Sequence, residues 1–291
     1  MISESELFEL NEELRREDIA PGVRPWEAMR RISQRTKRSI DFPSAEANFI
    51  FEWFKLNTKP GSQEMGHLYQ GAYYYDSTFW GVSLPITFGI VIINARDALY
   101  NMPDTIKKIL ANDKKAVNDY AFFWANCVDF GSTYEELYKD KNYDSFGRQL
   151  LNAGYEELSS ATTLLLENRP NKRAILNCRM ATEMLLKCFI AFKVGLSENQ
   201  AKKIGHDLNE LFNKFLEVSG NHNLSKIKDV LQVFPDIHER YKPQNIDNKS
   251  LFKGYCFAQF IGAVIARTFT DQDALSQIMS SKKADSHDKF F

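Results

Sequence analysis

No apolar run in this 291-residue chain is long enough to cross a bilayer. The longest, FWGVSLPITFGIVII from Phe79 to Ile93, is broken by Ser83, Pro85 and Thr87, whereas a spanning helix takes about 20 apolar residues. It reads as a buried element, and no membrane partner is expected. An excess of either charge is also missing. Lys and Arg total 37 against 38 acidic residues, so no global field draws the chain to nucleic acid or lipid, and any such binding must be local. Cysteine is scarce: Cys127, Cys178, Cys188 and Cys256 show no C-x-x-C spacing and no histidine pair nearby. That excludes structural zinc and a disulfide framework, and leaves reduced core residues. The phosphate-loop, dinucleotide-fingerprint, nucleophile-elbow and H-E-x-x-H motifs are all absent. No cofactor or metal site is expected. The opening MISESELFELNEELRRE is acidic and lacks a basic leader followed by an apolar core, so a cytoplasmic protein is expected.

What is present is the composition of a globular fold, 44% apolar and 26% charged, with 22 Phe to fill its cores. The periodicity predicts an all-α fold, a helical bundle preceded by an additional N-terminal helical region. Residues 1–43 read as an arm, with a short helix over Leu7–Leu14 and breaks at Pro21, Gly22, Pro25 and Pro43. Residues 44–140 read as helices: one in SAEANFIFEWFKLN, one in EMGHLYQGAYYYDSTFW, one continuing from ITFGIVII through NARDALYNM with Pro85 at its start, then DTIKKILAN and KKAVNDYAFFWANCVDF. Apolar density drops after Gly131, and a domain boundary is placed there. Residues 141–275 read as a bundle, with helices in SFGRQLLNAGYEELSSATTLLLE, in AILNCRMATEMLLKCFIAFKV capped by Gly195, from Asp207, in LSKIKDVLQVF and in LFKGYCFAQFIGAVIART. The polar tail 276–291 is expected to be disordered.

Several residues could carry chemistry. Asp207, three residues before Glu210, predicts an acidic capping box, while Lys202, Lys203 and His206 beside the free amides of a helix start suit a phosphate. Arg179, Glu183 and Lys187 repeat at i to i+4 on an otherwise apolar helix and predict an ion-pair ladder bordering a cleft or interface. His238, Arg240, Tyr241 and Lys242 place a base, a fork donor, a stacking ring and a cation in one loop. Arg30, Arg31, Arg35, Lys37 and Arg38 form a basic cluster that either tracks a phosphate backbone or sits on an acid-paired face.

The order of the second half resembles the HEPN superfamily of helical bundles over roughly residues 143–270. The likeness rests on YDSFGRQLLNAGYEELSSATTLL followed by AILNCRMATEMLLKCFIAF, with Ala181, Glu183, Leu186 and Lys187 in an A-x-E-x-x-L-K run, then a short loop into HDLNEL, then RYKP before FAQFIGAVIA. Ribonucleases of that superfamily resemble one another in an R-x(4–6)-H motif, and no Arg stands at those positions before His67, His206, His222, His238 or His287. The resemblance therefore implies a non-catalytic member, a nucleotide- or RNA-binding or protein-interaction module, commonly homodimeric, of the kind found in toxin–antitoxin and defence-type systems. Lys187, His206, Arg240 and Tyr241 are the expected ligand contacts, supported by Arg179, Glu183, Asp207 and His238. Two alternatives stay open: a divergent ribonuclease using His206 or His238 as base with Arg240 stabilising phosphate, and a structural partner-binding protein without a small ligand.

Overall fold

A computed structural model describes residues 2–41, 44–58, 67–86 and 94–281. Among the described residues the fold is all-α apart from one two-stranded sheet, and the chain separates into two compact units, Met1–Gly66 and His67–Phe291.

The described residues of the first unit form three helices, α1 (Glu4–Arg16), α2 (Arg24–Thr36) and α3 (Ala45–Asn57). The expected arm is thus two well-formed helices. Ser3 and Glu6 close a reciprocal capping box on α1, and Pro25 falls in the first turn of α2, where its missing N–H removes no hydrogen bond. The apolar faces meet in a core of Leu7, Leu10, Leu14, Ala28, Met29, Ile32, Ile50, Trp53 and Phe54. The four arginines of the basic cluster are acid-paired. Arg31 reaches Glu17 at 2.8 Å and Glu27 at 2.9 Å, Arg35 reaches Glu13 at 2.7 Å, Arg30 pairs with Glu27 and Arg38 with Glu46. Hydrogen bonds from Arg30 and then Arg31 hold the Glu27 carboxyl down from its ordinary 4.5 to about 2, and Arg31 likewise lowers Glu17.

A depressed folded-state pKa stabilises fully above the unfolded carboxyl range and is lost as pH falls through the folded value. This unit should therefore lose helix between about pH 4.5 and 2. An acid titration followed by circular dichroism, and by the fluorescence of Trp26 and Trp53, reads it. Helix that persists unchanged to pH 2, or the same acid profile in Glu27→Gln, contradicts the clamp.

The second unit opens with a hairpin, β1 (His67–Tyr75) and β2 (Thr78–Pro85), antiparallel with Tyr75 opposite Thr78. This corrects the helix expected over EMGHLYQGAYYYDSTFW. Asp76 and Ser77, at φ 50° and 64°, form a two-residue connection with both φ positive, the turn whose twist matches paired strands. Ser77→Gly removes a side chain from a left-handed position and should raise stability by up to about 1 kcal/mol, the strain relief exceeding the added freedom of the unfolded chain. A urea midpoint that stays or falls contradicts this.

Beyond the hairpin, residues 87–93 of the expected ITFGIVII helix lie outside the described residues. Pro85 ends β2 rather than starting a helix, and NARDALYNM contributes only the single turn α4 (Ala95–Ala98). Leu99 bridges to Val82, and the Asn101 side chain accepts the Gly81 amide at 2.7 Å, so this segment covers one side of the hairpin.

Next come α5 (Asp104–Asn112), α6 (Lys114–Lys139), α7 (Ser145–Leu165), α8 (Ala174–Val194), α9 (Glu198–Ile204), α10 (Leu208–Ser219), α11 (Asn248–Phe269) and α12 (Ala274–Ser281). Helix α6 runs straight through Gly131, where the sequence suggested a boundary, and packs on α7, α11 and the hairpin. The loop expected after α8 contains α9, and part of the expected disordered tail is α12; residues 282–291 lie outside the described residues. LSKIKDVLQVF forms a 3-10 segment, His222–Val233, not an α-helix, and a second 3-10 segment covers Ile237–Tyr241.

Helix α8 is enclosed by α7, α10 and α11, as its nearly all-round apolar pattern requires. The hairpin lies against α6, α7 and α11. It approaches α6 closely at Gly131, where a Cβ would stand 2.3 Å from the Tyr69 Cβ. Only glycine permits that crossing. Inside the layer, the Tyr255 hydroxyl accepts the Ala72 amide at 3.2 Å and shares a hydrogen bond with Thr162 at 2.7 Å. The four cysteines are free, and burial pushes all their thiols up, which keeps them protonated and unreactive.

Candidate functional site

The ladder on α8 is a connected, buried polar group whose Arg179 also lines a cleft. Glu183 is fully buried, with Arg179 and Lys187 5% and 6% exposed. Lys187 Nζ donates to Glu183 Oε1 at 2.8 Å, Arg179 Nη1 stands 3.5 Å from Oε2, and His206 Nδ1 lies 2.8 Å from Oε1. One carboxylate thus faces an ammonium and a guanidinium group in the interior. Carbonyl oxygens take up the excess: Lys187 Nζ donates to Gly205 O at 2.8 Å, Arg179 Nη2 to His206 O at 2.8 Å and Arg179 Nε to Pro235 O at 3.0 Å.

Two successive carbonyls can turn onto two cations because Gly205 adopts φ 72° between α9 and α10. There is open space around it, so conformation rather than crowding demands glycine. Immediately beyond, Asp207 caps α10 by accepting the amides of Asn209 at 2.7 Å and Glu210 at 3.1 Å. No return bond from Glu210 completes the capping box among the described residues. The carboxylate occupies the donors that a phosphate would need. Lys202 pairs with Glu198 at 2.7 Å and Lys203 is exposed. Of the candidates here, Lys187 is enclosed and engaged, Lys202 is exposed but paired along its own helix, Lys203 is exposed, and the His206 ring opens to solvent. It is 61% exposed.

The other candidates lie on the 3-10 segment Ile237–Tyr241. Asp236 caps it by accepting the His238 amide at 2.8 Å, leaving the His238 side chain exposed. The Arg240 guanidinium sits 4.8 Å from the centre of the Tyr241 ring, which is 82% exposed. Arg240 also lines a cleft of about 300 Å³ with Ile237, the α7 residue Glu157, and Leu176, Asn177, Arg179 and Met180 of α8 beside Arg173. The buried Arg179 is common to this cleft and to the ladder. Arg173 and Arg240 have no carboxylate partner among the described residues, and the one acid, Glu157, accepts from Asn177 Nδ2 at 2.7 Å.

Arg173 and Glu157 escaped the sequence reading. The faint signal was an Arg opening α8 one turn before Asn177 on the same face; its partner wall lies far along the chain. The cleft presents two free fork donors around an apolar and amide wall, an arrangement suited to a planar-oxygen anion. Elsewhere among the described residues no group of three His, Cys, Asp or Glu gathers as a metal site, and no helix is long and apolar enough to cross a membrane. No protein-family model, curated protein or solved structure matches the chain.

Proposed function

We propose that the chain is a non-catalytic binding module of HEPN type that takes the phosphate of a nucleotide or RNA in the Arg173–Arg240 cleft. The observation that carries this reading is the pair of arginines without carboxylate partners that line one cleft together with a third, Arg179, held by carbonyl oxygens. The HEPN type is taken from the sequence resemblance over roughly residues 143–270, and the missing R-x(4–6)-H motif supports binding without cleavage. Phosphate contacts of this kind stabilise by charge-assisted, frequently bidentate hydrogen bonds. Titration calorimetry with mononucleotides, dinucleotides and short RNA tests it. Removing two such contacts should weaken binding by at least about a hundredfold in the Arg173→Ala/Arg240→Ala variant. No heat at millimolar ligand, or an unchanged affinity in that variant, ends the proposal.

A second reading, a divergent ribonuclease, is favoured by one contact. Glu183 holds Nδ1 of the exposed His206 ring, which leaves Nε2 as the nitrogen open to a substrate, the orientation a general base uses. Incubation with total RNA separates the readings, since cleavage that disappears in His206→Ala favours the second.

A further inference from the structure

The placement of Glu157 sharpens the ligand class, and this step rests on the phosphate-binding reading above. Of the residues lining the Arg173–Arg240 cleft, Glu157 is the one anion, and it is not there to neutralise the arginines: no Lys or Arg nitrogen comes within ion-pair distance of it among the described residues. Its Oε2 accepts from Asn177, while Oε1 has no partner among the described residues. A carboxylate beside a phosphate site repels a second phosphate and accepts hydrogen bonds from hydroxyl or amine donors. Leu176, Met180 and Ile237 add an apolar wall, which suits the face of a flat ring. The volume, about 300 Å³, stands at the lower limit of small-molecule pockets.

We propose that the cleft selects a nucleoside monophosphate, its phosphate between Arg173 and Arg240, its sugar hydroxyls donating to Glu157 and its base against the apolar wall. Glu157 is then the specificity-determining residue, since a hydroxyl donated to a charged acceptor discriminates strongly against a ligand lacking it.

The test is a calorimetric cycle on the full chain with adenosine 5′-monophosphate, its 2′,3′-dideoxy analogue, ribose 5-phosphate and inorganic phosphate. In the unaltered protein the dideoxy analogue should bind roughly tenfold or more weakly than the monophosphate, and ribose 5-phosphate more weakly too. In Glu157→Ala the gap between monophosphate and dideoxy analogue should close, while inorganic phosphate binds at least as well as before. Glu157→Gln, which keeps an acceptor for Asn177, should fold normally and narrow the gap in part. Equal affinity for the monophosphate and its dideoxy analogue, a gap that survives Glu157→Ala, or ribose 5-phosphate binding as tightly as the monophosphate overturns this inference. If inorganic phosphate or RNA still binds in an Arg240-dependent way, the phosphate-site reading survives that outcome; if none of the four ligands nor RNA binds, both fall.

Discussion

Glu183→Ala is expected to lower the unfolding free energy by about 3–5 kcal/mol, because removing the one anion of a buried ionic group leaves its counter-charges uncompensated. The effect is large because Glu183 is wholly enclosed and faces Arg179, Lys187 and His206 together. A domain of this kind is stable by only about 5–15 kcal/mol in total, so much of its margin rests on one side chain. Urea unfolding measures the loss, and hydrogen exchange locates it. The amides of the Gly205–His206 turn and the first turn of α10 should lose protection first, since the cations that hold those carbonyls depend on Glu183 for their position. Many buried ionic groups can be replaced by apolar residues without harm. Here that route is closed. Replacing all three of Arg179, Glu183 and Lys187 by apolar residues removes the charge imbalance but also removes the donors to the carbonyls of Gly205, His206 and Pro235. An apolar triple variant as stable as the unaltered chain, or a loss below about 1 kcal/mol for Glu183→Ala, contradicts this account.

The same group shows where the sequence is legible. The i to i+4 spacing of Arg179, Glu183 and Lys187 announces a ladder, and the apolar surround of α8 announces that its helix is enclosed. What the spacing cannot announce is the destination of the remaining donors: Pro235 lies 56 residues and His206 27 residues from Arg179. The cleft meets the ladder at Arg179, while Lys187 is taken up by the Gly205 carbonyl. Helices α7, α8, α10 and α11 are legible because periodicity and local caps such as Gly195 and Asp207 agree on them. The hairpin is illegible by the same rule. Successive residues Gly71, Ala72 and Tyr73 in β1, and Gly81 to Leu84 in β2, are buried on both faces, which erases the alternation that marks a strand. Its turn, Asp76-Ser77, lacks the glycine that usually signals one. Arg173 and Glu157 are ordinary surface residues in the sequence, and only the packing of a distant 3-10 segment makes them walls of a cleft.

Arg267→Ala is the second large effect, expected at about 3–5 kcal/mol. Asp129 is buried completely in α6, and its two oxygens divide the work. Oδ2 accepts from Arg267 Nε at 2.6 Å, and Oδ1 accepts from the Ala274 amide, also at 2.6 Å, where α12 begins. The same guanidinium donates to Asn126 through Nη2 at 2.6 Å and stands 3.7 Å from Asp273. Truncating Arg267 leaves a buried carboxylate with one backbone donor and frees the last turn of α11 from α6. Lysine cannot restore this, because a single ammonium lacks the planar fork that reaches Asp129 and Asn126 together, so Arg267→Lys should recover only part of the loss. The decisive measurement is a double-mutant cycle in urea. Asp129→Ala removes the charge that Arg267→Ala would strand, so the double variant should be less destabilised than the sum of the singles by about 1–3 kcal/mol. Hydrogen exchange then assigns the structural share: α12, whose Ala274 and Ile278 pack with Ala121 and Ala125 of α6, should open in Asp129→Ala ahead of the rest of the bundle. Strict additivity of the two substitutions, or an α12 that stays protected without Asp129, would show that the ion pair and the helix junction are independent, and the coupling argued from their shared carboxylate would be lost.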